Sequence, residues 1–162
     1  MQPSILIVDD QPLVLDVVKK ILARGPYRVL SATSAEKGLQ IMESESIDVV
    51  ISDERMPGMP GSEFLAIVRH RFPHTVRIIL TGHASVESAI RAINEGEIYR
   101  LLTKPVNSRT LHDAVRQGLN HRSKGQTSEQ CISILDQLEK QAPGITHVKR
   151  DEDGVVIIDE DL

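Results

Sequence analysis

Five short apolar runs punctuate the first two thirds of the chain, at residues 4–8, 27–32, 47–52, 75–80 and 98–102, and each is followed by a segment with apolar residues at helical spacing. A run such as Val49, Val50, Ile51 predicts a strand buried on both faces. Strands of that kind alternating with helices predict a parallel sheet covered on both sides, joined by right-handed crossovers. After the first run, Val14, Val17, Val18, Ile21 and Leu22 form one apolar stripe that Gly25-Pro26 ends. Ser34 predicts the N-cap of a second helix carrying Leu39 and Met42, and Phe64, Leu65 and Val68 mark a third that stops before Pro73. Val86, Ala89, Ile90 and Ile93 mark a fourth, ending at Gly96, and Asn107 opens a fifth through Leu111, Ala114, Val115 and Leu119. The expected fold is therefore α/β, a doubly wound five-stranded parallel sheet with five helices. In such sheets, sites lie beyond the carboxyl ends of the strands, where the strand order reverses.

Composition narrows the function classes. Aromatic residues are 2% and tryptophan is absent, so the core is aliphatic and the aromatic platforms that stack nucleic-acid bases are not available. The formal charge is −4 and no run of Lys or Arg makes a basic arm, so DNA binding by this chain alone is not expected. The one cysteine, Cys131, excludes an internal disulfide and a multi-cysteine zinc site and suits a reducing compartment. The first residues lack a basic n-region, and no apolar run approaches the roughly 18 residues of a membrane span. A soluble cytoplasmic protein is expected.

The residues that follow each strand carry the chemistry. Asp9 and Asp10 follow the first, Asp53 the third, Thr81 the fourth and Lys104-Pro105 the fifth, and the fold gathers them onto one rim. Crowded carboxylates repel unless a cation neutralises them, and an all-oxygen donor set suits Mg²⁺. A carboxylate can attack phosphorus to give an aspartyl phosphate, with an ammonium and a hydroxyl to hold the transferring oxygens. Residue type and strand-end position assign Lys104 and Thr81 to those two tasks. They do not decide which of the three acids attacks.

The motifs "ILIVDDQP", "VVISDERMPGMPG", "IILTGHA" and "LLTKPV" stand in the order and context of the receiver domains of two-component response regulators, which the chain resembles over residues 4–121. The resemblance implies the flavodoxin-like version of the fold. It also implies that Asp53 accepts a phosphoryl group from a histidine kinase or phosphotransfer protein, and that Asp9, Asp10, Asp53 and the backbone carbonyl of Arg55 hold Mg²⁺. On the same basis Arg55 and His83 occupy positions that set how fast the phosphoryl group hydrolyses, and Pro105 follows the site lysine. Autodephosphorylation is then the only turnover, so no enzyme in the ordinary sense is expected. The family's switching surface, the fourth helix, fifth strand and fifth helix, here carries Arg91, Arg100, Arg109 and Arg116 beside Glu95 and Asp113, a mixed charged face suited to a homodimer or another protein partner.

One position departs from the pattern. Receivers commonly carry an aromatic residue three before the site lysine, where this chain has Leu101. Tyr99, two residues further back, falls on the same side of an alternating strand, so Tyr99 is expected to substitute in part.

Beyond residue 122 the texture changes. Residues 123–128 read as a linker after a receiver domain of residues 1–122. Residues 129–162 form an appendage, with a short helix of Cys131, Ile134, Leu135 and Leu138, a break at Pro143-Gly144, and a hairpin turning at Asp151 to Gly154. The appendage is too short and too acidic for a helix-turn-helix, so a protein-binding output is expected unless the output lies beyond Leu162. Two other readings carry less weight: a receiver-like interaction module that is never phosphorylated, and a haloacid-dehalogenase-type phosphatase. The phosphatase wants D-x-D after its nucleophile strand, and Asp53-Glu54-Arg55 lacks it.

Overall fold

A computed structural model describes residues 2–82 and 98–122, together with the backbone of two short strands at 148–150 and 156–158. In chain order the elements are β1 (Ser4–Val8), α1 (Pro12–Leu22), β2 (Arg28–Ala32), α2 (Ala35–Ser44), β3 (Val49–Ser52), α3 (Gly61–Arg71), β4 (Val76–Thr81), β5 (Arg100–Thr103), α4 (Ser108–Arg122), β6 (Val148–Arg150) and β7 (Val156–Ile158). The first five strands form one parallel sheet in the order β2-β1-β3-β4-β5. The expected fourth helix, over Val86 to Ile93, and the expected tail helix lie outside the described residues, as do the linker and the hairpin turn. Among the described residues there are thus four helices. β6 and β7 pair antiparallel, Val148 opposite Ile158.

The strands alternate their side chains between two cores. Leu6, Val8, Val50, Ile79 and Leu101 face one side, where Ala35 and Met42 of α2 and Phe64, Leu65 and Val68 of α3 cover them. Ile5, Ile7, Val49, Ile51, Ile78, Leu80 and Leu102 face the other, under Leu15, Val18 and Leu22 of α1 and Leu111, Ala114 and Val115 of α4. Every residue of β1 and of β3 is buried, as continuous apolar runs require in a sheet covered on both sides.

Local chemistry fixes where the helices begin. The Ser34 hydroxyl accepts from the Lys37 amide at 3.2 Å, and the Asn107 side chain accepts from the Arg109 amide at 2.8 Å, the capping roles expected of both. α1 instead starts on Pro12 with no side-chain cap, which a residue with no amide hydrogen tolerates in the first turn. Its buried stripe is Leu15, Val18 and Leu22, while Leu13 and Val17 are exposed at 79% and 54%. The sequence stripe that included Val17 was therefore rotated: Leu15, not Val17, meets the sheet.

Candidate functional site

The register of the sheet assembles the rim. Val8 pairs with Ser52 across β1 and β3, so the residues after them, Asp9 and Asp53, leave adjacent strand ends. The Asp53 amide donates to the Val8 carbonyl at 2.9 Å and the Asp9 amide to the Ala32 carbonyl at 3.2 Å. Thr81 pairs with Thr103 across β4 and β5, and the Lys104 amide donates to the Thr81 carbonyl at 2.9 Å. Ligand oxygens of Asp9, Asp10 and Asp53 lie within 4.8 Å of one another.

Lys104 spans the rim to meet these acids. Its Nζ donates to Asp9 Oδ2 at 2.8 Å and stands 3.6 Å from Asp53 Oδ1. Asp9 also accepts from the Gln11 amide through Oδ1 at 2.9 Å. Asp9, Asp53 and Thr81 are buried, and Asp10 is half-buried. Burial pushes the Asp53 carboxyl above the usual aspartate range. The Lys104 ammonium pulls it back, the Asp9 charge pushes it up again, and the backbone N–H groups of Glu54 and Arg55, hydrogen-bonded to it, oppose the rise. Arg55 extends its side chain into solvent just beyond the acid, and the Lys104–Pro105 peptide bond is cis.

The expected modulators divide differently. His83 lies outside the described residues. Leu101 is buried beside Ile79 on the face of α2 and α3. Tyr99 is not on that face: it packs with the α1 and α4 side, its ring centroid 5.5 Å from that of His121, with the Arg100 guanidinium 5.5 Å above the ring. Regular alternation fails because β5 begins only at Arg100, so Ile98 and Leu101 share one face while Tyr99 and Leu102 share the other. The expectation that Tyr99 stands on the Leu101 side is corrected.

Sequence reasoning passed over Glu54. Its side chain is buried, and its two carboxylate oxygens accept from Ser62, Oε2 from the amide at 2.8 Å and Oε1 from the hydroxyl at 2.9 Å. An acid spaced to reach the residues after Pro60-Gly61, where α3 starts, was the available signal.

The sequence profile of the response regulator receiver domain matches residues 5–116. The chain belongs to that family. This receiver domain is 36% identical over 118 residues to the hydrogenase transcriptional regulatory protein HoxA of Cupriavidus necator, covering 73% of this chain and 24% of HoxA. It is also 36% identical over 115 residues to the transcriptional regulatory protein GlrR of Escherichia coli K12, covering 71% of this chain and 26% of GlrR. The chain thus spans about a quarter of the length of these curated relatives. Among solved structures, it superimposes on the signal receiver domain of an HD domain-containing protein from Pseudomonas fluorescens Pf-5 with a TM-score of 0.75 at 39% identity, over 77% of this chain and all of that one. Receiver domains are signalling modules that take their input from a histidine kinase or another phosphodonor. Because these relatives are named as transcriptional regulators, they lend no support to the expectation that this chain alone does not bind DNA, although it spans only about a quarter of each of them. Among the described residues no helix is long and apolar enough to cross a membrane.

Proposed function

We propose that this receiver domain stores a phosphoryl group on Asp53, delivered from the phosphohistidine of a kinase or phosphotransfer protein in the cytoplasm. The observation that supports this best is the reach of the Lys104 ammonium to both Asp9 and Asp53. An Asp53 oxygen attacks phosphorus, the new O–P bond forms as the P–N bond to the donor imidazole breaks, and the departing imidazole nitrogen keeps the electron pair and takes a proton from solvent. Lys104 Nζ lies 3.6 Å from the attacking carboxylate, close enough to neutralise charge on the transferring oxygens. The Thr81 hydroxyl, at the next strand end, donates to one of them.

The donor set fits a divalent cation. Three carboxylates face one ammonium, which leaves two negative charges to neutralise, and their oxygens are the hard ligands that Mg²⁺ prefers. Asp9, Asp10, Asp53 and the carbonyl of Arg55 would hold it, and the ion would supply further neutralisation of the phosphoryl oxygens. Hydrolysis of the acyl phosphate resets the module, at a rate tuned by Arg55 and His83. The charge added at Asp53 shifts the population of the Thr81 and Leu101 region between two packings. That shift alters the surface on which Arg100 donates to Gln117 at 2.6 Å and Arg116 to Asp113 at 2.8 Å, where a second copy or another protein binds.

Intact-protein mass after incubation with acetyl phosphate, with and without Mg²⁺, tests the reading. A single Mg²⁺-dependent phosphoryl adduct that disappears in Asp53→Asn is expected. An adduct of equal yield in Asp53→Asn overturns the assignment. Absence of any adduct from either acetyl phosphate or a phosphohistidine donor, with the fold intact, leaves a receiver scaffold that works without phosphate.

A further inference from the structure

Glu54 is a buried acid that phosphoryl chemistry at Asp53 does not require, and burying a carboxylate is costly unless its oxygens are bonded. Here both are, and by one residue: Ser62 donates its amide to Oε2 at 2.8 Å and its hydroxyl to Oε1 at 2.9 Å. Ser62 is the second residue of α3, so the carboxylate also meets the positive end of the helix. The backbone repeats the connection, because the Gly61 amide donates to the Glu54 carbonyl at 2.9 Å. Residue 54 is therefore tied to α3 twice, and residues 55–60 loop out between the ties, turning at Gly58 with φ +84°.

Residue 54 follows Asp53 directly, so the same ties hold the backbone at the phosphoacceptor, and the amides of Glu54 and Arg55, the first residues of that loop, oppose the rise in the Asp53 pKa. We infer that Glu54 is a positioning residue for phosphoryl acceptance: by clamping the first turn of α3 it fixes the two amides that aim the Asp53 carboxylate. This rests on the reading of Asp53 as phosphoacceptor. Without the clamp the Gly61 bond still ties the residue 54 backbone to the helix, but the two side-chain bonds that steady the peptide between residues 54 and 55 are lost. Small misplacements of reacting groups can cost up to about a hundredfold in rate.

The test compares wild type with Glu54→Ala, Glu54→Gln, Ser62→Ala and the Glu54→Ala/Ser62→Ala double variant. Loading by acetyl phosphate is followed by mass, and amide hydrogen exchange is measured at residues 54 and 55. Glu54→Ala is expected to load at least about tenfold more slowly, with those two amides exchanging faster than global unfolding allows. Gln keeps one acceptor for the Ser62 amide and offers its NH₂ group to the Ser62 hydroxyl, so Glu54→Gln is expected to recover to within about threefold of wild type. Ser62→Ala should slow loading, and the double variant should load no more slowly than Glu54→Ala, as one shared interaction requires. Wild-type loading in Glu54→Ala overturns the inference and leaves the function of Asp53 standing. Equal impairment in the Ala and Gln variants, in proportion to lost stability, reduces Glu54 to a structural role. If wild type itself loads from neither acetyl phosphate nor a phosphohistidine donor, the Asp53 reading fails, and exchange at residues 54 and 55 still decides whether the clamp orders the loop. Unchanged exchange in both Glu54→Ala and the milder Ser62→Ala rejects it.

Discussion

Asp53 combines two demands that pull against each other. A nucleophile must be ionised, yet at 7% exposure the charge is poorly solvated, and burial together with Asp9 raises the pH at which Asp53 ionises despite Lys104 and the amides. The consequence for stability has a definite sign. Between the ordinary aspartate value and the raised one, the folded chain keeps a proton that the unfolded chain has lost. The stabilisation by neutral Asp53 is complete below the ordinary value and is gone above the raised one. Without divalent cation, Asp53→Asn is thus expected to be more stable than wild type near neutral pH and to melt at a higher temperature. The gap should close on acidification, as thermal melts across pH would record. Mg²⁺ at a hundredfold excess over Kd should stabilise wild type by about 2.7 kcal/mol, and Asp53→Asn by less. Lys104→Met removes the group that holds the Asp53 value down, so its loading should fall off at higher pH than in wild type. Asp9, Asp10, Asp53, Thr81 and Lys104 were legible as residue types at strand ends. Glu54 was not, because an acid in a Pro- and Gly-rich loop reads as a turn former until its partner on α3 is known.

At the scale of the element, α3 ties the loop to the core. Gly61 begins it under the Asp53 carbonyl, where an added Cβ would stand 2.1 Å from that oxygen. Gly61→Ala must shift backbone, so it is expected to cost at least about 2 kcal/mol in denaturant unfolding and to slow loading as well. Three residues along the same helix, Phe64 is fully buried in the α2–α3 core, and Phe64→Ala should cost about 3–5 kcal/mol. The periodicity located α3 because Phe64, Leu65 and Val68 face inward together. It misjudged α1, where Leu15 and Val17 flank Val18 on opposite sides of the helix and only the sheet decides which flank is buried. Strand alternation carried Tyr99 to the wrong face for a related reason: a period of two is secure inside a paired strand, and Tyr99 precedes the first paired residue of β5.

For the whole molecule, the β-α alternation foretold a parallel sheet, but not which strands lie side by side, since order is set by crossovers that the sequence does not mark. The order β2-β1-β3-β4-β5 sets the end of β1 against the end of β3. A chain ended at Arg122 retains all five parallel strands, and it is expected to keep its far-UV circular dichroism and to load phosphate at the full-length rate. A slower rate would assign the tail a part in the site. Lys104 and Asp9, 95 residues apart along the chain, meet only once β5 has docked. Under the proposed chemistry a nascent or misassembled chain therefore carries every reactive side chain and still stays unlabelled. Phosphoryl uptake becomes a census of finished molecules: a kinase working on a mixed population would write its message only on chains able to relay it.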